Sequence, residues 1–295
     1  MTRTPISATA TFEAARRRLL SIAYRMLGSV AEAEDVVQET WISWHEAQDL
    51  ALNTPVAWLT TVATRLAIDR LRHLQHERAT TAVPWLPEPW MDEHAPSAED
   101  AVSMLSDLSY GVLLMLERLS PDERAALLLH EVFDCQYEEI ARTLLKTPVH
   151  CRQLVRRAKE RVQSDRIRRV TDEQACRETA QEFVAAICRQ DKQAMLQLLA
   201  PDAVVMGNGA IDTQAASSFV RSVAAMDMSG MQVDGACING GWGATLFLHG
   251  KIVLALSLEM EGPAIRTIYA IADPGRHGHG CPPAVLQLLR EAVTA

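Results

Sequence analysis

Polar side chains that can pair with nucleic-acid bases and phosphates are concentrated on one predicted helix near residue 150. Residues 152–170 carry eight basic and two acidic side chains, although the whole chain has a net charge of −8. Thr147 followed by Pro148 is a strong helix start. An inward apolar stripe at helical spacing consists of Cys151, Val155, Ala158 and Val162. The candidate contact residues are Thr147, His150, Arg152, Gln153, Arg156, Arg157 and Lys159.

These residues form the second half of a predicted helix-turn-helix at about 137–162. Ile140, Ala141 and Leu144 give a shorter first helix its apolar face, and a four-residue turn follows. Arg and Gln near the start of the second helix can pair with guanine and adenine edges in the major groove, while later Arg and Lys neutralise phosphates. The pattern therefore predicts DNA binding. A solvated amphipathic helix without a ligand is the alternative.

Composition narrows the class of protein. The chain has 295 residues and is 48% hydrophobic, which is enough for two or three domains with buried cores. Its longest apolar run is too short to cross a bilayer, and residues 2–10 do not resemble a signal peptide, so we expect a cytoplasmic protein without a membrane partner. The six cysteines form no CxxC pair, which argues against a disulfide framework or a zinc ribbon.

The helical and strand-like patterns predict a multidomain protein, with two all-α domains followed by an α+β domain. Residues 1–79 form the first helical domain, and residues 80–103 form a linker containing WLPEP, which is incompatible with regular structure. Residues 104–170 contain the helix-turn-helix, preceded by a helix that starts at Ser120-Pro121. In 171–295, alternating runs separated by Gly240-Gly241 and His249-Gly250 predict antiparallel hairpins.

Several motifs resemble a known family. The stretches IAYRMLGSVAEAEDVVQETWISW at 22–44 and PVAWLTTVATRLAIDRLR at 55–72 look like region 2 of extracytoplasmic-function (ECF) sigma factors, and MLERLSPDERAALLLHEVFDCQYEEIA at 115–141 resembles their region 4. The WLPEP linker and the extra C-terminal domain resemble the SigJ-like subgroup, which has a fused SnoaL-like domain. The resemblance covers nearly the whole chain. It implies a non-enzymatic factor that binds RNA polymerase core, recognises promoter DNA and needs no cofactor or metal.

The resemblance also implies roles for individual residues. Polymerase binding would involve an exposed face formed by Asp35, Gln38 and Glu39. The melted downstream promoter element would contact Thr61, Thr64, Arg65 and Arg72, opposite the Trp58, Val62 and Leu66 side. Many relatives have Asn where this chain has Arg65. The helix-turn-helix would read the upstream element. Solvated helix faces and ordinary surface arginines are the alternatives for the first two sets.

In the subgroup the fused domain takes the place of a separate anti-sigma protein by contacting the sigma domains and the linker, here Trp85, Leu86, Pro87, Glu88 and Pro89. This chain departs from the subgroup pattern. A DGGGK stretch is replaced by Met206-Gly207-Asn208-Gly209-Ala210, and an NPDKL-like segment by residues 272–276. We therefore expect a regulatory interface that differs from the subgroup norm.

Two other functions compete with this interpretation. A stand-alone helix-turn-helix regulator would have no use for region 2. A SnoaL-like enzyme acting on a small molecule would need an inward acid–base pair, for which Asp202, Asp212 and His249 are candidates. His277, His279 and Cys281 have metal-ligand chemistry, but the intervening glycines favour a surface loop. The sequence leaves open whether the domain has a small-molecule ligand.

Overall fold

The protein is described by a computed structural model that covers residues 8–47, 54–79, 85–90, 110–163, 173–207 and 213–272. The chain divides into two compact units, Met1–Ala82 with Leu113–Arg166 and Val83–Val112 with Ile167–Ala295. This division differs from the four segments predicted from the sequence. The two helical segments share one unit because their helices pack together, and the WLPEP residues belong to the unit that contains the β-sheet.

The first three helices of the first unit are α1 (Ala8–Leu27), α2 (Val30–Glu46) and α3 (Pro55–Ala79). Helix α3 begins at Pro55 as predicted, but its inward face differs from the expected one. Leu59, Ala63, Ala67 and Leu71 are fully buried, whereas Trp58, Val62 and Leu66 are only partly buried. Small alanines occupy the inward face, and α3 packs against both α1 and α2.

The described residues that follow contain four further helices: α4 (Tyr110–Glu117), α5 (Pro121–Glu131), α6 (Tyr137–Leu144) and α7 (Pro148–Gln163). Helix α5 starts with the predicted capping box, in which the Ser120 hydroxyl accepts from the Glu123 N–H and the Glu123 carboxylate accepts from the Ser120 N–H. Helix α6 ends at Leu145 in the left-handed region, with φ of 54°. The chain then turns into α7, so α6 and α7 form the predicted helix-turn-helix.

The second unit contains one sheet and three helices in its described part. The helices are α8 (Glu173–Cys188), α9 (Lys192–Gln197) and α10 (Ala216–Ala225). The strands are β1 (Leu199–Gly207), β2 (Gln214–Ala215), β3 (Met231–Ile238), β4 (Gly241–Leu248), β5 (Lys251–Glu261) and β6 (Ala264–Ala272). Their order is β2-β1-β6-β5-β4-β3, and only the β1–β6 pair among these strands is parallel.

The helices of the second unit and the sheet share one apolar core. Phe183 of α8 and Phe219 of α10 are buried with Leu254, Leu256 and Ile268 of the sheet. The predicted α+β architecture is thereby confirmed. The His249-Gly250 turn lies where the sequence predicts it, whereas the other turn lies at Asn239-Gly240, one residue earlier than expected; all four residues have positive φ. No described helix has the length and apolarity needed to span a membrane.

Candidate nucleic-acid interface

Helix α7 has one buried face and one exposed polar face. Cys151, Leu154, Val155 and Ala158 are buried. The Thr147 hydroxyl accepts a hydrogen bond from the His150 N–H at 3.2 Å, so the predicted N-cap is present. The polar candidates Thr147, His150, Arg152, Gln153, Arg156 and Arg157 are exposed, and Lys159 is half-buried. Their arrangement matches the chemistry of a helix that enters the major groove.

Carboxylates already neutralise part of this basic face. Arg156 Nε lies 3.1 Å from Glu160 Oε1, and Lys159 Nζ lies 2.8 Å from Glu131 Oε1. Arg152 Nη2 lies 3.9 Å from the Glu138 carboxylate. The Arg161 guanidinium pairs with Glu123, whose side chain is buried. A DNA phosphate that binds these cations must therefore displace protein carboxylates, most of which are solvent-accessible.

Two side chains beside this face were not identified from the sequence. The Arg152 guanidinium carbon lies 5.1 Å from the centre of the Tyr137 ring, which in turn packs against His130 with ring centres 4.3 Å apart. Val149, at the start of α7, is 60% exposed, and an apolar side chain there can contact a thymine methyl group. Val149 could have been identified from the sequence, because it directly follows Pro148 in the first turn of the predicted helix. The Tyr137–Arg152 contact requires the tertiary fold.

Three of the four downstream-element candidates on α3 contact helices α5 and α6. Arg65 donates from Nε to the Thr143 carbonyl and from Nη2 to the Arg142 carbonyl, both at 2.8 Å. Arg72 Nη2 lies 3.0 Å from Asp122 Oδ1. The Thr61 hydroxyl lies 3.2 Å from the Thr143 hydroxyl and donates to the Ala57 carbonyl. These side chains of α3 therefore contact α5 and α6.

Thr64 does not share this exposed surface. Its side chain is fully buried, and its hydroxyl donates to the Thr60 carbonyl at 2.7 Å. The sequence predicted that Thr64 lies with Arg65 and Arg72 on an exposed surface, and its burial corrects that prediction. Thr64 follows Ala63 on the inward side of α3. A threonine whose hydroxyl bonds back to its own helix needs no other partner in a core.

The predicted polymerase-binding residues share one face of α2. Asp35, Gln38 and Glu39 are exposed, while Val36 and Val37 between them are buried. Ile42, one turn further along the same face, is 52% exposed. Helical spacing of three and four residues makes these side chains neighbours. The result is an acidic and amide surface beside an exposed aliphatic side chain.

The WLPEP segment packs within the second unit. Leu86, Pro87 and Pro89 are buried, and Trp85 and Glu88 are partly buried. Directly after them, the Trp90 N–H donates to Asn239 Oδ1 at 2.6 Å, and the Asn239 N–H donates to the Trp90 carbonyl at 3.0 Å. Asn239 lies in the turn between β3 and β4 and is itself buried. The linker is therefore fixed to the sheet by a reciprocal pair of hydrogen bonds.

The polar candidates of an enzymatic site do not converge in the described residues. Asp202 on β1 and His249 in the β4–β5 turn are both exposed. Asp212, the His277–Cys281 segment, residues 208–210 and residues 273–276 lie outside the described residues. Among those described, no three His, Cys, Asp or Glu side chains form a metal-binding cluster.

A tyrosine pair lies on the sheet of the second unit. Tyr269 stacks on Tyr110 with ring centres 5.0 Å apart and donates to Glu259 at 2.8 Å. Burial, reinforced by the Glu259 charge, raises the pKa of Tyr269 above its ordinary value. A phenol held in its neutral form serves as a hydrogen-bond donor. We therefore interpret the stacking of Tyr110 on Tyr269 as a structural contact made by the residues that follow the linker.

Comparison with known proteins places these surfaces in a family. Residues 11–77 match the family model for Sigma-70 region 2, and residues 111–162 match Sigma-70, region 4. The ECF RNA polymerase sigma factor SigJ of Mycobacterium tuberculosis is 38% identical over 220 residues, which are 73% of this chain and 69% of that protein. The chain belongs to the ECF sigma factor family. The probable sigma factor SigI of the same species is 31% identical over 67% of this chain and 68% of its own.

The solved structure of the Mycobacterium tuberculosis SigJ factor matches this sigma factor with a TM-score of 0.69 and 31% identity, over 90% of this chain and 96% of that one. The region 2 match spans α1 to α3, and the region 4 match includes α4 to α7. Members of the family direct transcription initiation and are not enzymes. Because region 2 is present, a stand-alone helix-turn-helix regulator is the weaker interpretation.

Proposed function

We propose that this ECF sigma factor binds RNA polymerase core and reads the upstream promoter element with the exposed face of α7. The observation that carries the proposal is the capped start of α7, where Arg152 and Gln153 are both exposed next to His150. Side chains at the start of a recognition helix reach base edges, and Arg and Gln can each make two hydrogen bonds to one base. Arg156, Arg157 and Lys159 follow as phosphate contacts.

Polymerase binding is assigned to the α2 face of Asp35, Gln38 and Glu39. Its exposure leaves these side chains available to a partner, and Ile42 adds apolar area of the kind found at the centre of protein interfaces. On α3, Arg65 and Arg72 supply cations for the melted downstream element, and Thr61 supplies a hydroxyl. Single-stranded DNA is held by such cations together with stacked bases.

Regulation by the C-terminal domain is proposed to act through the linker. The support is the reciprocal pair of hydrogen bonds between Trp90 and Asn239 and the burial of Leu86, Pro87 and Pro89. A linker segment held in this way is not available to the polymerase. The domain therefore lowers transcription until the linker is released, which is the part an anti-sigma protein would otherwise play.

The first test is co-purification with core RNA polymerase followed by run-off transcription on genomic fragments. Arg152→Ala with Gln153→Ala should lower transcript from the preferred promoter by about tenfold or more, because each lost base contact costs roughly 1 to 3 kcal/mol. Arg189→Ala is the matched control, since Arg189 is an exposed, ion-paired arginine of the second unit. Failure to bind core polymerase, or equal loss in the control, would contradict the proposal.

The second test addresses the linker. Asn239→Gly removes the side-chain oxygen that accepts from the Trp90 N–H. Glycine is chosen because it adopts the positive φ of 52° at this position without strain. Loss of one such bond should release the linker and raise transcription about two- to tenfold. His249→Gly is the control, because His249 has a φ of 51° in the other hairpin turn and is exposed. Unchanged or reduced transcription with Asn239→Gly would reject this route of regulation.

A further inference from the structure

We propose that Val149 determines part of the promoter specificity, by contacting the C5-methyl group of a thymine in the upstream element, and that Leu145 supports it with an apolar contact to the DNA backbone. We define the apolar edge as Leu145 and Val149. The inference rests on the proposed role of α7 in reading the upstream element. It adds a base that the charged and amide side chains of α7 do not specify.

Val149 is exposed at a position where the fold makes no use of an apolar side chain. It is 60% exposed, and the buried face of α7 begins two residues later at Cys151. Pro148 and the hydrogen bond between Thr147 and His150 already start the helix. The first turn of a recognition helix reaches base edges in the major groove. Val149 is therefore placed to contact a base.

Leu145 is unfavourable to the fold in two ways. Its φ of 54° lies in the left-handed region, where glycine is the usual residue at a helix end, and its side chain is 79% exposed. Strained positions of this kind are concentrated at functional sites. The turn before an inserted helix lies at the edge of the groove, where deoxyribose offers apolar surface. Leu145 is therefore assigned a contact that does not depend on the base sequence.

The surroundings of Val149 favour DNA as the partner of the apolar edge. His150, Arg152 and Gln153 are exposed beside it, and further exposed arginines follow on α7. Such a density of cations suits phosphates. Thymine is the base that presents a methyl group in the major groove, and an aliphatic side chain among polar base-reading side chains fits that group.

Arg152 fixes where the thymine lies relative to a second base. It follows Val149 by three residues, so the two side chains are neighbours on one face of α7. The Arg152 guanidinium carbon lies 5.1 Å from the centre of the Tyr137 ring, and His130 packs against that ring. An arginine held in this way can read guanine with two hydrogen bonds. Three residues advance a helix by about 4.5 Å, and a base pair by about 3.4 Å, so the thymine lies within about two base pairs of the guanine.

The first experiment removes only the methyl group from the DNA. Each thymine of the upstream element in the preferred promoter, on both strands, is replaced in turn by deoxyuridine, and binding of the holoenzyme with core polymerase is measured. At one position affinity should fall about two- to fivefold, as expected for one buried methyl group. That position should lie within about two base pairs of the one at which Arg152→Ala relaxes base preference.

Two variants of Val149 differ by a single methyl group and provide the matched pair. Val149→Ser should abolish the difference between thymine and deoxyuridine, whereas Val149→Thr, which keeps one γ-methyl group, should retain it. The control Val132→Ala changes another exposed valine of region 4, which is 37% exposed, and should also retain the difference. The proposal is overturned if no thymine is sensitive to the exchange, or if Val149→Ser lowers affinity equally for both bases, as a protein partner on the apolar edge would require.

The second experiment tests Leu145 by comparing stability with binding. Leu145→Gly relieves the positive φ and removes the exposed side chain. Hydrogen exchange in α6 should be unchanged or slower, while holoenzyme affinity should fall about two- to fivefold for every promoter in the deoxyuridine series. A structural role would instead make exchange faster along with any loss of affinity. That result, or unchanged affinity, removes the DNA contact assigned to Leu145.

The two levels of inference fail in different ways. If the wild-type protein gives no transcript with core polymerase, or if Arg152→Ala with Gln153→Ala has no effect, the proposed function is wrong. If those results are as expected and the deoxyuridine series shows no sensitive thymine, the function stands and the apolar edge is wrong.

Discussion

Glu117 links three helices of the first unit, and its removal gives a sharp test of how regions 2 and 4 are held together. Its carboxylate pairs with Arg124, which is fully buried on α5, and with Arg78 of α3 at 2.9 Å. The same two arginines also donate to region 2 backbone carbonyls, Arg124 to Arg25 at 2.9 Å and Arg78 to Leu27 at 3.1 Å. Burial lowers the pKa of Arg78, and the Glu117 charge opposes that shift.

Glu117→Gln preserves the side-chain shape but removes the carboxylate charge that faces the fully buried Arg124 and the partly buried Arg78. Removing one partner of a fully buried ion pair costs about 3 to 5 kcal/mol. Glu117 retains 19% exposure, so water offsets part of that cost, and we expect the free energy of unfolding of the first unit to fall by about 2 to 4 kcal/mol. The corresponding drop in melting temperature is roughly 5 to 15 °C.

The assay is urea unfolding followed by hydrogen exchange in peptides from α3 and α5, which observes the first unit by itself. Glu160→Gln is the control, because the Arg156–Glu160 pair is well exposed on both sides and should contribute less than about 1 kcal/mol. A loss below about 1 kcal/mol in Glu117→Gln, or an equal loss in the control, would refute the argument that buried charges join the two regions.

Two further predictions concern the other unit and the recognition helix. A methyl group on Gly243 would lie 2.2 Å from the Leu256 carbonyl oxygen, so Gly243→Ala should clearly lower the melting temperature of the second unit. The control Gly235→Ala should leave the melting temperature nearly unchanged, because a methyl group there meets no atom within 4 Å. Equal shifts in the two variants would contradict this packing. Tyr137→Ala should reduce transcription about two- to tenfold, because it releases Arg152 from its cation–π contact. The control Tyr137→Phe keeps the ring and should retain activity. If Tyr137→Ala lowers transcription equally in an Arg152→Ala background, the ring does not act through the arginine.

Local signals were sufficient for the helices around the DNA-reading motif. Ser120-Pro121 and Thr147-Pro148 combine a capping side chain with a proline in the first turn, and α5 and α7 begin at those prolines. Gly240-Gly241 and His249-Gly250 likewise marked the hairpin turns to within one residue. These features depend on a few consecutive residues, so they can be read before the fold is known.

The inward face of α3 was misjudged because large apolar side chains dominated the pattern. Trp58, Val62 and Leu66 suggested the core, but Ala63 and Ala67 occupy it, since short side chains allow closely packed helices. The misjudged face also placed Thr64 outside. Helix α10 was not predicted, although its buried residues Ala216, Phe219, Val220 and Val223 recur at helical spacing, because it is only ten residues long and contains three serines.

The contacts that define the candidate site could not be predicted, because they join residues far apart in the sequence. Arg65 meets a carbonyl 78 residues away, and Trp90 meets an asparagine 149 residues away. Neither contact partner can be recognised from its residue type, because every residue at a helix end has a carbonyl and asparagine is common in turns. The residues of each predicted DNA-binding surface were named from the sequence and stay a prediction, whereas the contacts of α3 with α5 and α6 required the tertiary structure.

The carboxylates paired with α7 affect how DNA affinity responds to ionic strength. When a protein cation replaces counterions on DNA, the ions released set the slope of affinity against salt concentration. In the proposed complex with DNA, Arg156 and Lys159 would leave Glu160 and Glu131 to bind phosphates, and the freed carboxylates would recruit cations from solution. Net ion release is then smaller than the number of phosphate contacts. The sigma factor should therefore have a shallower salt dependence than its basic residues suggest, and its promoter preference should vary less with the ionic conditions around it.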